Sequence, residues 1–261
     1  MESPDEALRL DLKADSGILQ KHAIWAGIKP GMRVADLGCG PGKTTYYLNK
    51  LVQPNGSALG IDISPQRYNY AQSNYQDKGL EFKLYDIRKP LEQFGLFDFV
   101  WVCFVLEHFR KNSFEIVKNI ISILKPGGIL CLVDLDFNCL IHYGIPTKLE
   151  QALFGLMKLL EENANFDPYV GRKFYSFLYD LDFKDIDVNI TTHHLIFGEL
   201  KDIEEKNWLY KIDVAAQKSG YKFTEFSDGF DEFKSQFIIF FRDKRRLTYT
   251  PIILVRGCKP Y

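Results

Sequence analysis

From Arg33 to Leu135 the chain alternates short apolar runs with longer stretches in which apolar residues return every three or four positions. Strands are predicted at Met32–Leu37, Ala58–Asp62, Glu81–Tyr85, Phe97–Val102 and Ile129–Leu135. The fourth is a nearly continuous apolar run, the pattern of a parallel strand covered on both faces. Helical periodicity fills the gaps. Thr44, Tyr47, Leu48 and Leu51 share one face, Pro65 opens a helix reaching Asp77, and Phe114, Val117, Ile121 and Leu124 form the stripe of a third. Asn112 and Glu115 have capping-box spacing at its start, and Lys125-Pro126-Gly127-Gly128 is expected to break the chain before the fifth strand. Repeated strand–helix units of this length need right-handed crossovers between parallel neighbours, so an α/β, doubly wound, mostly parallel sheet follows.

After Asp136 the rhythm changes. Thr147 and Glu150 open a helix with Leu149, Leu153, Leu156 and Leu160 on one side; a second runs from Pro168 to Leu181 with Val170, Phe174, Phe177 and Leu178 facing inward. Ile186, Val188, Ile190 and Thr192 alternate as a strand, Glu204–Ser219 reads as a helix closed by Gly220, and Tyr249–Arg256 is the final strand. The helices between the fifth and sixth strands are expected to fold over the ligand edge of the sheet as a lid.

Composition narrows the function classes. Of 261 residues, 33 are basic and 34 acidic, a formal charge of −1, whereas wrapping a nucleic acid calls for a cationic surplus. Five cysteines (Cys39, Cys103, Cys131, Cys139 and Cys258) contain no CxxC pair, which disfavours a disulfide framework or zinc knuckle and favours a reducing, cytoplasmic location. Met1–Asp15 lacks the apolar stretch of a signal peptide, and the best apolar run, Leu96–Leu106, is interrupted by Asp98, so a soluble chain without a membrane span is expected. The 21 Phe and 14 Tyr exceed what a core of this size needs, and a flat or greasy ligand is expected.

The strongest local signal is Val34-Ala35-Asp36-Leu37-Gly38-Cys39-Gly40-Pro41-Gly42, between the first strand and first helix, where a doubly wound sheet binds its ligand. A dinucleotide fingerprint needs a third glycine where Lys43 stands, and a phosphate loop ending Gly42-Lys43-Thr44 needs its first glycine where Leu37 stands. Both phosphate readings fail on one residue.

An acid followed by G-x-G-x-G resembles the first motif of the class I S-adenosylmethionine-dependent methyltransferases. Gly60-Ile61-Asp62-Ile63-Ser64 is similar to the family's second motif and Tyr85-Asp86-Ile87 to its third. The Phe97–Phe109 run, ending Leu106-Glu107-His108, and Leu124-Lys125-Pro126-Gly127-Gly128 continue the series in order. Asp167-Pro168-Tyr169-Val170-Gly171-Arg172 adds a likeness to the quinone-biosynthesis and related small-molecule branch. The resemblance implies a Rossmann-like, seven-stranded sheet with a helical lid insertion between strands 5 and 6. It divides the single domain into an N-terminal helical segment (1–30), a cofactor-binding core (31–137), lid or substrate-side elements (138–182 and 195–245) and C-terminal strands (183–194 and 246–261). S-adenosyl-L-methionine would be the cofactor and S-adenosyl-L-homocysteine its product.

The cofactor carries a sulfonium, an ammonium and a ribose diol, all served by acidic or carbonyl acceptors. Asp62 is expected to take both ribose hydroxyls, with Ile63 beside it, each charge-assisted bond contributing roughly 1.5–3 kcal/mol. Asp86 would accept from the adenine amino group while the Ile87 N–H reaches a ring nitrogen. Asp36 would orient the loop and attract the ammonium, Gly38, Cys39 and Gly40 would line the methionine portion, and Cys103 and Phe104 would approach the methionine end or the adenine ring. Each acid also has a plain structural reading: Asp62 as a turn former, Asp86 as the surface partner of the basic residue two positions on. Cys39 reads as a small filler.

Methyl transfer from a sulfonium is an in-line displacement that asks chiefly for alignment and exclusion of water, worth roughly 7–11 kcal/mol. The acceptor is expected to be a small, apolar or aromatic organic molecule; neither the [DNS]-P-P-[YF] motif of nucleic-acid amine methyltransferases nor a Pro-Cys nucleophile is present. His108 is the candidate base, with a histidine packing under the next helix as the alternative. His142 and Tyr143 could reach the pocket from the lid's entrance, and His193 and His194, as strand neighbours, are expected to point to opposite faces. Asp134 and Asp136 lie two apart on one strand face, but a metal site of that kind would also need an acid at the end of the fourth strand, which is missing; no metal is expected. Two other readings stay open: a nicotinamide oxidoreductase on the same kind of sheet, and a catalytically silent relative that binds cofactor or a partner.

Overall fold

The computed structural model describes residues 4–13 and 15–261. Helices α1 (Pro4–Lys13) and α2 (Ser16–Ala26) precede β1 (Arg33–Leu37), α3 (Lys43–Val52), β2 (Ser57–Asp62), α4 (Pro65–Asn74), β3 (Leu80–Leu84), β4 (Phe97–Cys103), α5 (Ser113–Ile121) and β5 (Leu124–Leu135). The chain continues through β6 (His142–Tyr143), α6 (Thr147–Asn163), α7 (Phe174–Asp180), β7 (Lys184–Phe197), α8 (Asp202–Ser219), α9 (Phe230–Phe241) and β8 (Leu247–Cys258).

Strands β1 to β5 are parallel in the order β3-β2-β1-β4-β5; β8 then runs antiparallel between β5 and the edge strand β7. Among the described residues the sheet has eight strands where seven were expected; the extra one, β6, pairs only His142 and Tyr143 with the start of β8, beyond the end of β5. Because β1 lies between β2 and β4, the crossovers part at its carboxyl end and open the ligand crevice there.

Both faces of the sheet are covered. Ala23 and Ala26 of α2 and Leu48 and Val52 of α3 pack with Phe99, Trp101 and Cys131 on one side. Ile116, Val117 and Ile120 of α5 and Phe174 and Leu178 of α7 pack with Val100, Val102, Leu130 and Leu132 on the other. The apolar run of β4 is therefore read correctly as a central strand, each large side chain contributing about 1.5–3 kcal/mol by burial.

Helices α6, α8 and α9 enclose a separate aromatic core: Leu149, Leu153 and Leu156 meet Trp208, Phe233, Phe237 and Phe241. Phe137, Cys139 and Leu140, leaving the end of β5, join it, so this layer stands at the carboxyl edge of the sheet. Helix α9 has no counterpart among the predicted elements, because Phe230, Phe233, Phe237 and Phe241 are flanked by further aromatics that blur the period.

Three local readings are corrected. Asn112 precedes α5 but makes no side-chain cap; Glu115 pairs with Lys118 at 2.9 Å instead. Lys125–Gly128 does not interrupt β5, which absorbs the loop as an irregularity between the Phe97–Leu124 and Phe99–Ile129 pairs. His193 and His194 do not face apart: β7 slips by one residue between Thr192 and His194, and the bulge leaves both half-buried with ring centroids 4.1 Å apart.

Candidate cofactor and acceptor site

At the end of β1, Asp36 is buried and its Oδ2 accepts the Thr45 hydroxyl of α3 at 2.7 Å. Burial raises its carboxyl to about 7, opposed by the Thr45 bond and reinforced by the neighbouring charge of Asp62. The loop that follows is tied to β2 by the Gly38 and Cys39 N–H groups, both donating to the Ile61 carbonyl. Gly38 has φ +77°, and a Cβ there would stand 2.3 Å from Cγ2 of Val105, in the turn after β4. Glycine lets these two segments touch. At Gly40, φ +56°, an added Cβ would meet no protein atom within 4 Å, so the crevice is open above it.

Asp62 closes this cradle. Its Oδ2 accepts the Gly40 N–H at 2.8 Å and its Oδ1 the Ser64 N–H at 2.9 Å. A carboxylate has about four acceptor positions, so each oxygen keeps one for a hydroxyl from the open side. Next to it Ile63 is 54% exposed, an apolar surface available to a flat ring. Asp86 is engaged differently: the Arg88 guanidinium bridges both its oxygens at 2.7–3.0 Å and the Arg88 N–H adds another bond. An adenine amino group would have to displace one of them. Ile87 is buried, its carbonyl held by Asn119.

After β4, Phe104 adopts a left-handed φ of +56° while its N–H stays bonded to the Val133 carbonyl. A bulky residue in that region is uncommon and over-determined by its surroundings. Burial pushes the Cys39 and Cys103 thiols well above their usual range, with nearby carboxylates adding to it, so both are neutral side chains rather than nucleophiles.

The structure adds a pair that sequence spacing did not single out. Asp134, at the end of β5, is fully buried and accepts the N–H groups of Glu107 and Leu135 at 3.1 and 2.9 Å. Burial and then the charge of Glu107 raise its carboxyl well above the usual range. Glu107 accepts from Asn138, and its carbonyl takes the Asp167 N–H. Sequence spacing sets Asp134 beside Asp136, but Asp136 instead forms a two-pronged pair with Arg172. The carboxyl ends of β1, β2 and β5 and the turn after β4 thus bring the carboxyl groups of Asp36, Asp62, Asp134 and Glu107 into one acidic floor, in which burial favours the protonated form of Asp134 and, up to about pH 7, of Asp36.

His108 lies beside this floor with its side chain 61% exposed and Nε2 3.7 Å from Oε1 of Glu107. His142 is instead locked in the aromatic core, bonded to Thr248 and the Cys139 carbonyl; burial lowers it to about 4. Tyr143 is 72% exposed and does not join it. Among the described residues no group of three His, Cys, Asp or Glu side chains is arranged to hold a metal ion.

Residues 28–213 match the methyltransferase domain family, and the chain belongs to it. Its fold is that of the class I S-adenosylmethionine-dependent methyltransferases, and S-adenosylmethionine is the cofactor of that class. Over 143 residues it is 32% identical to an uncharacterised 37.1 kDa protein in a transposon of Streptomyces fradiae, covering 52% of this chain and 41% of that one. Over 126 residues it is 25% identical to the ubiquinone/menaquinone biosynthesis C-methyltransferase UbiE of Vibrio vulnificus, covering 44% and 48%. The chain thus spans under half the length of these relatives. Phosphoethanolamine N-methyltransferase 2 of Haemonchus contortus, solved with S-adenosyl-L-methionine, superposes with a TM-score of 0.57 at 16% identity, over 94% of this chain and 53% of that one. That likeness concerns the fold.

Proposed function

We propose that the protein transfers a methyl group from S-adenosylmethionine to a small, apolar or aromatic organic molecule. The donor's sulfonium supplies the methyl group, by in-line displacement, to an acceptor aligned behind it. The reading rests above all on Asp62, whose two oxygens are fixed by Gly40 and Ser64 with their free lone pairs left for a ribose diol. Gly38, Cys39 and Gly40 would line the methionine portion and Asp36 would draw the ammonium. Ile63 and Ile87, with Asp86 once an Arg88 bond yields, would bound the adenine. Cys103 and Phe104 would face the methyl end. His108 stands at the mouth of the site, where it can pass a proton to water. The aromatic layer of α6, α8 and α9 serves as the lid and supplies the apolar wall, which favours a small acceptor over a nucleic acid. Among the described residues no helix is long and apolar enough to cross a membrane; a cytoplasmic location, with five free thiols, is part of the proposal.

The test is transfer of tritiated methyl from S-adenosylmethionine in a fractionated cell extract. Label in the low-molecular-weight, solvent-extractable fraction is expected. Label confined to nucleic acid or protein would overturn the acceptor class, and none in any fraction would favour a silent relative.

A further inference from the structure

The bulge in β7 keeps an apolar row on one face of the sheet. Val188 and Ile190 pair with Val255 and Ile253 of β8, and Leu195 and Phe197 pair with Tyr249 and Leu247. Side chains alternate along β8 and these four partners are all odd-numbered, so the four β7 side chains share a face. Without the extra residue between Thr192 and His194, Leu195 and Phe197 would turn to the opposite face. That opposite face is occupied: Thr191 meets His22 of α2, and Ile196 packs with Trp208 of α8. On the row's own face α7 covers Ile253 and Val255 with Phe174 and Leu178, while Val188, Ile190, Leu195 and Phe197 stay 43–66% exposed. Leu247 and, beside it, Tyr143 of β6 carry the row across three strands and are also exposed. Phe177 turns one flank of α7 to Phe114 of α5; the other flank borders β7 and presents the stacked, exposed pair Tyr175 and Tyr179.

We propose that this face packs against the same face of a second copy of the chain, forming an isologous dimer. A large aromatic side chain carries about 150–250 Å², so these exposed side chains together present roughly 800 Å². That exceeds the roughly 300–600 Å² of the largest apolar patch on an ordinary monomer and matches the about 800 Å² that each partner buries in a standard interface. Charge fits the same occupant. From Val188 to Phe197 β7 contains no Asp, Glu, Lys or Arg. Its charges stand at the ends: Asp185 and Asp187 at the start, and Lys244 and Arg245, in the turn before β8, beside Phe197 at the other. The Arg245 side chain is 90% exposed. A two-fold axis through the middle of the row lays each end over the opposite end of the second copy, so basic meets acidic twice. The bulge bends the edge of β7, which disfavours strand addition and leaves packing by the face.

The experiment is light scattering coupled to size exclusion on the full chain over a wide dilution series. A species of twice the chain's mass is expected, giving way to the single chain on dilution. Ile190→Glu and Phe197→Glu, each setting like charges in the apolar contact, should raise the dissociation constant at least about tenfold with the circular dichroism of the fold unchanged. Arg245→Glu should weaken the dimer about threefold or more, and Asp187→Arg added to the same chain should restore it. Should the Glu variants not fold, hydroxyl-radical labelling of the unaltered chain replaces them: labelling of Tyr143 and Phe197 is expected to fall as concentration rises. A dimer indifferent to these substitutions, or labelling independent of concentration, would overturn the proposal. So would a single-chain mass at every dilution, and sedimentation of that monomer with anionic phospholipid vesicles would assign the face to a lipid surface instead.

Discussion

Asp62 and Asp36 are both buried acids at strand ends, yet their surroundings give them different tasks. Asp62 is held by two backbone N–H groups and has acceptor capacity to spare. Asp62→Ala is therefore expected to weaken S-adenosylhomocysteine binding at least about tenfold by calorimetry, the loss of one or two charge-assisted bonds, with the melting temperature little changed. Unchanged affinity would contradict the ribose role. Asp36, raised to about 7, keeps its proton in the free protein until neutral pH. A ligand ammonium favours its ionised form, so affinity should climb as pH rises through 7, approaching about tenfold per unit below that value, and level off above it. Asp36→Asn should flatten the profile. At this scale the sequence was legible where one residue's chemistry decides, as at Lys43 and Leu37. It was silent where a partner decides: Arg88 occupying Asp86, or Glu107 meeting Asp134, depends on distances that spacing does not encode.

The elements were legible in proportion to their regularity. Strands β1 to β5 and the helices between them follow from periodicity, since each buries a face against the same sheet. The bulge in β7 has no sequence signal, because Thr192, His193 and His194 all suit a strand, and it decides where His193 points. The layer of α6, α8 and α9 carries its own prediction. His142 sits within it neutral, lowered to about 4 from the usual 6.5, so the unfolded chain takes up a proton first on acidification. Stability from this group is full above pH 6.5 and is lost as pH falls toward 4, by roughly 2 kcal/mol at pH 5. Asp36 acts in the opposite sense across an overlapping range, so the comparison is with His142→Asn. The stability advantage of the unaltered chain over that variant should shrink by that amount between pH 7.5 and 5 in urea denaturation. A constant difference would show that His142 is not held neutral.

Across the whole molecule, one sheet serves two bodies. Its parallel half ends in the acidic floor, and its antiparallel half extends past β5 to carry the aromatic layer. Helix α1 joins them: Lys43, at the start of α3, donates to the Asp11 carbonyl at 2.7 Å, the Tyr75 hydroxyl of α4 binds the Asp11 carboxylate, and Arg9 lies over the Tyr210 ring of α8. A chain that binds a sulfur nucleoside between these bodies should show it at one place. The direct measurement is a crystal structure with S-adenosylhomocysteine. The account predicts both ribose hydroxyls within hydrogen-bond distance of the Asp62 carboxylate, the adenine against Ile63 and the sulfur directed toward Phe104. A ligand lying elsewhere, or a ribose out of reach of Asp62, would contradict it.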